Sequence, residues 1–459
     1  MKRSPVIRLL ALLPALCAGF APPAAPAAER PHVVVFLSDD HTLTDSSLYG
    51  STDLKTPQME RVASKGMTFD RAFVVSPSCA PSRAALLTGL LPARNGAEPN
   101  HSRPRPEIKK LPAYFHDLGY QVVSFGKVAH YRQVRDYGFD VARHFNYHDD
   151  VAVDEAIAWL RNRTDDRPLC LFVGTNWPHV PWPNPKDVDP QAIKIPETHV
   201  HTPKTRQARA KYYQAVLTMD DELGRTFDAA YEVLGENTLF VHTSDHGAQW
   251  PFGKWNLYDD GLRTPLIAVW PGKIEPDVRT DAMVTWVDIL PTLVDAAGGD
   301  PQQQAGTDGL DGRSFLPVLR GETETHRDRV FATHSGDGSI NVYPSRSLRD
   351  GRYKYILNLH PEFKFTSHVT EKHRDTGYWP SWEKKAETVP AAAEKVKRYQ
   401  QRPAEELYDL QADPTEWNNL AADPAHAERL KAMRAAVEAW MDETGDQRKV
   451  YGEPTLLTP

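Results

Sequence analysis

Acidic, basic and imidazole side chains follow four short apolar runs of the sequence. The runs are VVVFLS, QVVSFG, LFVGTNWP and LFVHTS. The side chains that follow them are Asp39, Asp40, Lys127, His130, His179, Asp245 and His246. Near-continuous Val, Leu and Phe runs predict buried parallel strands, and ligands bind at the carboxyl ends of such strands. Four runs that deliver polar groups to one sheet edge therefore predict a single functional site.

The three aspartates of this set suit a hard divalent cation. Asp39, Asp40 and Asp245 offer carboxylate oxygens, which Ca²⁺ and Mg²⁺ prefer as ligands. His246 keeps zinc open as an alternative, because zinc favours imidazole and thiolate. Two adjacent aspartates more often form a solvated turn than a metal site. The prediction of a metal site therefore depends on the strand ends lying close together.

The stretch SPSCAPSRAALLTG holds a cysteine, Cys79, with no evident structural role. Cys170 belongs to the buried run PLCLFVG, where cysteine behaves as a small apolar residue. Cys17 lies in the N-terminal leader, so a disulfide framework is not expected. A lone cysteine in an exported chain is a candidate reactive group.

Cationic side chains and a helix start surround this cysteine in the predicted site. The helix is predicted to begin near Pro81 and Ser82 and to end at Gly89, and its first amides favour an anion. The donors for oxyanions are Arg83, Lys127, His130, His179 and Lys254. The pattern indicates a site that holds a tetrahedral anion, phosphate or sulfate, against a metal, with a nucleophile at position 79.

Residues 1–28 have the layout of a secretory signal: basic residues, an apolar run and an Ala/Pro-rich end. We therefore expect an exported protein, periplasmic or secreted, with no stable membrane insertion. The formal net charge is −7, and removing the segment leaves 51 basic against 61 acidic residues. A mildly acidic chain does not indicate a nucleic-acid partner.

The remaining residues exceed one ordinary hydrophobic core, so two domains are expected. Residues 29–330 alternate apolar runs with helical patterns, which predicts an α/β/α sandwich with a mostly parallel central sheet. Residues 331–459 predict a smaller α+β domain with an antiparallel sheet. Asp350 and Gly351 mark its hairpin turn, and a last helix opens at Asp423.

The stretch CAPSRAALLTG, residues 79–89, matches the pattern C-x-P-S-R-x-x-x-L-T-G. This pattern resembles the signature of type I sulfatases, members of the alkaline phosphatase-like superfamily. Further stretches resemble the same family over nearly the whole chain: VVVFLSDDH, SFGKVAH, PHVPW, TSDHG and ELYDLQADPTEWNNLA. The resemblance implies the family's fold and a hydrolase of sulfate esters or sulfamates.

The resemblance also implies two cofactors. A dedicated enzyme would oxidise Cys79 to Cα-formylglycine, whose hydrate has one hydroxyl to attack sulfur and a second to expel sulfate. Asp39, Asp40, Asp245 and His246 would bind Ca²⁺, with residue 79 completing the ligand set. Many family members carry asparagine where His246 stands, whereas the iduronate 2-sulfatase branch has histidine.

The remaining site residues take their roles from the same resemblance. Arg83 would hold the formylglycine hydrate, and Lys127 and Lys254 would bind sulfate. His130 would be the base that removes the second hydroxyl proton. His179 would be the acid for the leaving oxygen or nitrogen.

The stretches divide between two branches of the family. GKVAH and SDHG resemble iduronate 2-sulfatases, whereas NGAEPNHSRP and KWNLYDDG resemble heparan N-sulfatases. His101, Arg103 and Arg105 are either contacts for an acidic sugar or a solvated basic loop. We expect a sulfatase for a sulfated polysaccharide or its oligosaccharides, with N- and O-sulfate both open.

Three alternatives stay open at the level of sequence. A phosphodiesterase or phosphonate monoester hydrolase of the same superfamily would use the same nucleophile. A sulfatase for small molecules is a second alternative. The third is a catalytically dead, sugar-binding relative, although every expected site position is filled.

Overall fold

The described residues form a large central sheet, a smaller antiparallel sheet and the helices that cover them. The computed structural model describes residues 30–145, 151–370 and 377–457, so the predicted signal segment lies outside them. From Pro31 onward the chain forms one compact unit. The strands are β1 (His32–Ser38), β2 (Met67–Phe69), β3 (Ala72–Phe73), β4 (Gln121–Gly126), β5 (Val141–Arg143), β6 (Leu169–Gly174), β7 (Thr238–Ser244), β8 (Leu266–Val269), β9 (Val278–Thr280), β10 (Val284–Thr285), β11 (Arg329–His334), β12 (Ser345–Asp350), β13 (Tyr353–Asn358) and β14 (Glu405–Asp409).

The α-helices of the described residues range from a single turn to a 32-residue helix. They are α1 (Pro57–Ala63), α2 (Cys79–Thr88), α3 (Pro92–Asn95), α4 (Leu111–His116), α5 (Ala152–Arg161), α6 (Pro203–Leu234), α7 (Asp259–Leu262), α8 (Ile289–Ala296), α9 (Pro301–Ala305), α10 (Leu316–Leu319), α11 (Trp379–Ala386), α12 (Pro390–Gln400) and α13 (Ala427–Thr444). Among these residues, no helix is both long enough and apolar enough to span a bilayer.

The central sheet has the strand order β5-β4-β6-β1-β7-β8-β2-β9. Its first five strands are mutually parallel, and β8 runs antiparallel to both of its neighbours. Strand β1 is buried along its apolar run because helices cover the sheet; α6 packs on β1 and β7, and α5 on β4 and β6. The predicted α/β fold with a mostly parallel sheet is confirmed.

Helix α2 begins earlier than its sequence predicts. Ser78 has the extended backbone of an N-cap residue, and the helix includes Cys79 in its first turn. Gly89 ends it in the left-handed conformation, at φ 68°, which glycine adopts without strain. The predicted start near Pro81 was therefore late, and residue 79 lies within the helix rather than before it.

The smaller sheet is antiparallel, in the order β11-β12-β13-β14. Strands β12 and β13 form the hairpin predicted from Asp350 and Gly351. Helix α13 covers the sheet, and its Met433 and Val437 share an apolar cluster with Tyr355 and Leu407. This confirms the predicted antiparallel sheet, while the domain boundary near residue 330 stays a prediction.

A buried lysine on β13 joins the smaller sheet to helix α7. The Nζ atom of Lys354, on β13, lies 2.5 Å from Asp259 on α7 and 2.9 Å from Glu416. The Lys354 side chain is fully buried. Removing one partner from a buried ion pair leaves uncompensated charge, which is strongly destabilising.

We therefore expect Lys354→Ala to lower the free energy of unfolding by about 3–5 kcal/mol. Arg352→Ala is the matched control on the same hairpin, because Arg352 pairs with Asp409 but is 54% exposed. The control should cost less than about 1 kcal/mol. Urea unfolding measures both values, and equal losses would contradict the structural role of Lys354.

Candidate functional site

The polar side chains predicted to meet lie at the carboxyl ends of four adjacent strands, in the order β4-β6-β1-β7. They are Asp39 and Asp40 after β1, Lys127 and His130 after β4, His179 after β6, and Asp245 and His246 after β7. Each of these side chains is buried. The structure thus brings the set together at one edge, and the chemical role of each member stays a prediction.

Four side chains at this edge form a compact group of ligand atoms. Asp39, Cys79, Asp245 and His246 each offer one atom within 4.8 Å of the others. The Nδ1 atom of His246 lies 2.9 Å from the Gly247 carbonyl, which can only accept a hydrogen bond, so Nδ1 carries the proton. The bare Nε2 lies 3.2 Å from Cys79 Sγ. The imidazole therefore presents a lone pair to the group.

The carboxylates at this edge are affected by burial and by one another's charge. Asp40 lies outside the group above and forms a second group of ligand atoms with Cys79 and His179. Burial raises the pKa of Asp40 to about 7; Lys254 opposes this rise, and Asp39 and Asp245 add to it. Burial also opposes ionisation of Asp39, but Lys127 and other nearby cations hold its pKa well below the ordinary value. Clustered buried oxygens beside an imidazole lone pair fit a hard divalent cation.

Cys79 lies at the start of α2 with its sulfur buried in this group. Its Sγ lies 3.9 Å from Asp39 Oδ1 and 3.6 Å from Lys127 Nζ. Burial raises the pKa of the thiol to about 12, although Lys127 and Lys254 oppose the rise. At neutral pH the sulfur is therefore an un-ionised thiol, which is a weak nucleophile. The side chain sits where a reactive group is needed but is poorly reactive as cysteine.

Arg83 is fully buried and bridges the carboxylates from one turn further along α2. Its Nε donates to Asp245 Oδ2 over 2.9 Å, and one terminal nitrogen donates to Asp39 Oδ1 over 3.3 Å. The other terminal nitrogen donates to the Lys127 carbonyl. These contacts fix α2, β1 and β7 against one another around Cys79.

Two buried lysines pair with aspartates of the site. Lys127 Nζ lies 2.5 Å from Asp39 Oδ2, and Lys254 Nζ lies 2.7 Å from Asp40 Oδ1. Lys254 follows β7 on a loop whose next residue, Trp255, donates its backbone N–H to the Pro77 carbonyl. That hydrogen bond ties the Lys254 loop to the segment that leads into Cys79.

A pocket of about 700 Å³ opens onto Cys79. His130, His179 and Lys254 line it together with His101. The Nδ1 atom of His179 lies 2.7 Å from the Val180 carbonyl, so this nitrogen is the protonated one. Burial, with Lys254 and Lys127, holds the pKa of His179 well below its ordinary value, so its ring is neutral unless an anion lies beside it.

The basic loop after α3 divides into two parts. His101 lies in the pocket, and its Nδ1 is 2.7 Å from His130 Nε2. Arg103 is not among the residues that line the pocket; it is exposed and pairs with Asp136. Arg105 is also exposed and pairs with Glu107. The structure brings His101 to the site and leaves the two arginines on the surface beside it.

Sequence reasoning missed the far wall of the pocket. Asp337 and His368, from two loops of the C-terminal part, line it together with Asn100. Asn100 accepts a hydrogen bond from the Ala80 N–H and donates one to Asp337. The ring of His368 stacks on Trp255, with centroids 5.1 Å apart. The one local signal was the GDG turn around Asp337, which is indistinguishable from an ordinary loop.

Comparison with known proteins identifies the family to which this chain belongs. The sulfatase family model matches residues 31–299. A second model, for the C-terminal part of N-sulphoglucosamine sulphohydrolase, matches residues 246–371. The chain belongs to the sulfatase family, and it is an enzyme that hydrolyses sulfate esters or sulfamates.

Individual relatives extend this result over most of the chain. An ulvan-active sulfatase of Formosa agariphila is 30% identical over 94% of this chain and 84% of its own. Human N-sulphoglucosamine sulphohydrolase is 27% identical over 91% of each chain. A solved structure in complex with its substrate D-glucosamine-2-N,6-O-disulfate matches with a TM-score of 0.68 at 20% identity, over 91% of this chain and 99% of that one. The last likeness bears on the fold alone.

Proposed function

We propose that this enzyme removes sulfate groups from a sulfated polysaccharide or its oligosaccharides, with Cys79 converted to Cα-formylglycine beside a bound calcium ion. One observation carries the proposal: Cys79 Sγ and one ligand atom each of Asp39, Asp245 and His246 all lie within 4.8 Å of one another. The un-ionised, buried thiol supports conversion, because an aldehyde hydrate supplies hydroxyl groups that the thiol lacks.

Calcium would be held by Asp39, Asp40, Asp245 and His246. When present, the ion supplies positive charge to the sulfate oxygens, and the formylglycine hydrate supplies the attacking hydroxyl. His246 would contribute its Nε2 lone pair, because its Nδ1 proton is engaged by Gly247. The carboxylates would orient residue 79 from two strand ends, those of β1 and β7.

The cations would bind and orient the anion. Lys127 Nζ pairs with Asp39 and Lys254 Nζ pairs with Asp40, and both ammonium groups would bind the sulfate. Arg83 would hold residue 79 through its fixed position between Asp39 and Asp245. Donors fixed before the substrate arrives stabilise charge that develops on sulfate oxygens.

The two histidines would move protons on either side of residue 79. His130 would accept the proton of the second hydroxyl, and His179 would donate to the leaving oxygen or nitrogen through Nε2. Nε2 is the available atom because Nδ1 of His179 faces the Val180 carbonyl. Both rings line the pocket that opens onto Cys79.

The substrate class is supported by the pocket wall and by the activities for which the relatives are named. His101, Trp255 and His368 present polar and aromatic surface opposite residue 79, which suits a sugar ring bearing an anionic group. Arg103 and His101 would contact such a sugar. The relatives act on ulvan and on N-sulphoglucosamine, so both O- and N-sulfate fit the proposal.

The proposal includes maturation and export. A formylglycine-generating enzyme or its equivalent would convert Cys79 within the stretch CAPSRAALLTG. Residues 1–28 would direct the chain to the periplasm or the exterior, residues 29–330 would form the catalytic domain, and residues 331–459 would form the C-terminal subdomain.

Release of inorganic sulfate from defined oligosaccharides tests the proposal. We expect matured protein to release sulfate from one of three classes, heparan, chondroitin or ulvan oligosaccharides, and to turn over a phosphodiester far more slowly. Ion chromatography measures the sulfate, and mass spectrometry of the residue-79 peptide verifies the aldehyde. Faster phosphodiester turnover, or no sulfate release by protein with the aldehyde in place, would contradict it.

A further inference from the structure

Three polar side chains form a continuous line from the pocket into the C-terminal part of the chain. His130 Nε2 lies 2.7 Å from His101 Nδ1. His101 Nε2 in turn lies 3.1 Å from Asp337 Oδ1. The line begins at a buried imidazole and ends at a buried carboxylate, while the His101 side chain is 57% exposed.

The carboxylate at the end of the line is rigidly held. Asp337 Oδ2 accepts hydrogen bonds from Trp255 Nε1 over 2.8 Å and from Asn100 Nδ2 over 3.1 Å. His368 Nε2 lies 3.2 Å from the same oxygen. Burial opposes ionisation of Asp337, but hydrogen bonds from His101 and His368 hold its pKa far below the ordinary value. Asp337 is therefore an ionised acceptor for His101.

These contacts fix the protons on both imidazoles. A carboxylate accepts, so the proton of a neutral His101 ring lies on Nε2, which leaves Nδ1 bare. His130 Nε2 must then be the donor to His101 Nδ1. The other nitrogen of His130, Nδ1, is consequently unprotonated, and it is buried with no hydrogen-bond partner among the residues that the structure describes.

We propose that Asp337 and His101 are positioning residues for His130, which keep its Nδ1 bare so that it can accept a proton. The proposal rests on the function proposed above. His130 Nδ1 takes the proton of the remaining hydroxyl on residue 79; the O–H electron pair becomes the second C=O bond, and sulfate departs with the C–O pair. The positive charge on His130 is shared with His101 and balanced by the Asp337 carboxylate, and water entering behind sulfate removes the proton.

This arrangement gives His101 a positioning role in addition to the sugar contact proposed above, which its ring surface rather than its nitrogens would make. Both of its ring nitrogens are engaged, one by His130 and one by Asp337. Neither is available to donate to a substrate without breaking the line. A carboxylate that orients a histidine base through hydrogen bonds is a general arrangement, and its loss lowers kcat because the wrong tautomer forms.

Asp337→Asn is the direct test. We expect kcat to fall about 100-fold or more with KM little changed. An aryl sulfate should give a burst of one aryl product per active site and then slow turnover, because only the proton-removal half of the cycle is slowed. His101→Gln should behave in the same way, and added imidazole should partly rescue His101→Gly.

Asp288→Asn is the matched structural control. Asp288 is also a buried carboxylate within hydrogen-bond distance of a histidine, His326, and it does not line the pocket. Its replacement should lower the melting temperature but leave kcat per folded site unchanged and give no burst. A burst in this control, or a change confined to KM in Asp337→Asn, would overturn the positioning role.

A second readout does not depend on turnover. In ¹⁵N-histidine-labelled Cys79→Ala protein, nitrogen chemical shifts should show His130 protonated on Nε2 and bare on Nδ1, and Asp337→Asn should mix the two tautomers. If His130 is protonated on Nδ1 in the Cys79→Ala protein that retains Asp337, the inference is overturned. Absence of sulfate release by matured protein would instead remove the proposed function and leave this tautomer result standing.

Discussion

Cys79→Ala protein is expected to keep its fold and to lose sulfate release by about 10⁴-fold or more, because removal of a nucleophile leaves only binding and charge stabilisation. The substitution removes one buried sulfur at the start of α2 and leaves the Arg83 contacts with Asp39 and Asp245 in place. Steady-state sulfate release and circular dichroism measure the two outcomes. Residual turnover above about 1% of the parent would overturn the assignment of residue 79 as the nucleophile.

Cys170→Ala is the matched control for this prediction. Cys170 is a buried cysteine on β6, paired in register with Val33 of β1. Its replacement leaves a small void in the sheet, which costs about 1 kcal/mol of stability, and should leave kcat unchanged. Loss of activity in the control would indicate that cysteine loss acts through the sheet rather than through the nucleophile.

The strand ends are the part of the site that local sequence predicts well. Asp39 and Asp245 each follow an apolar run directly, and the runs form adjacent parallel strands β1 and β7. Side chains placed by strand ends need no knowledge of loops, because parallel strands end at a common edge. The same reasoning predicted Lys127 and His179 at the site.

Helix α2 shows the limit of local signals at an element boundary. Pro81 and Ser82 are typical of a helix start, so the sequence predicts that the helix begins there. The structure begins it at Cys79, because Ser78 is extended and the Ala80 N–H bonds to Asn100 from the following loop. A tertiary contact decides this boundary, and no local pattern contains it.

The residues of the far wall of the pocket could not be predicted from local sequence either, because tertiary contacts place them there. Asn100 and Asp337 are 237 positions apart and meet through one hydrogen bond. Their loops are short polar segments whose composition resembles solvated turns. Trp255 donates a hydrogen bond to Asp337 and stacks on His368, so the paths of these loops depend on tertiary contacts that no local pattern contains.

The charges at the site indicate how a divalent ion would help to bind an anion. Three buried cations, Arg83, Lys127 and Lys254, face three carboxylates, Asp39, Asp40 and Asp245. Without an ion the two sets pair and their charges cancel. A divalent ion held by the carboxylates would make the site net positive, which would favour binding of an anionic sulfate group.

Chelation is therefore expected to lower both activity and stability. A ligand that binds only the folded state at a thousand times its Kd contributes about 4 kcal/mol, which corresponds to about 4 °C in melting temperature for a chain of this size. Melting temperature and sulfate release, measured before and after chelation with metal content determined by mass spectrometry, check the effect. Re-addition of Ca²⁺, Mg²⁺ or Zn²⁺ in turn identifies the ion.

The loss of stability on chelation should grow with pH. Burial raises the pKa of Asp40 from 3.8 to about 7 in the folded chain without an ion. A raised folded-state pKa means that this carboxyl favours the folded state when protonated, so the chelated protein loses stability as pH rises through that interval. Asp40→Asn should remove both this pH dependence and the response to Ca²⁺, whereas exposed Asp117→Asn should keep them. Equal melting temperatures at pH 5 and 8, with the metal demonstrably removed, would contradict a carboxylate-bound ion.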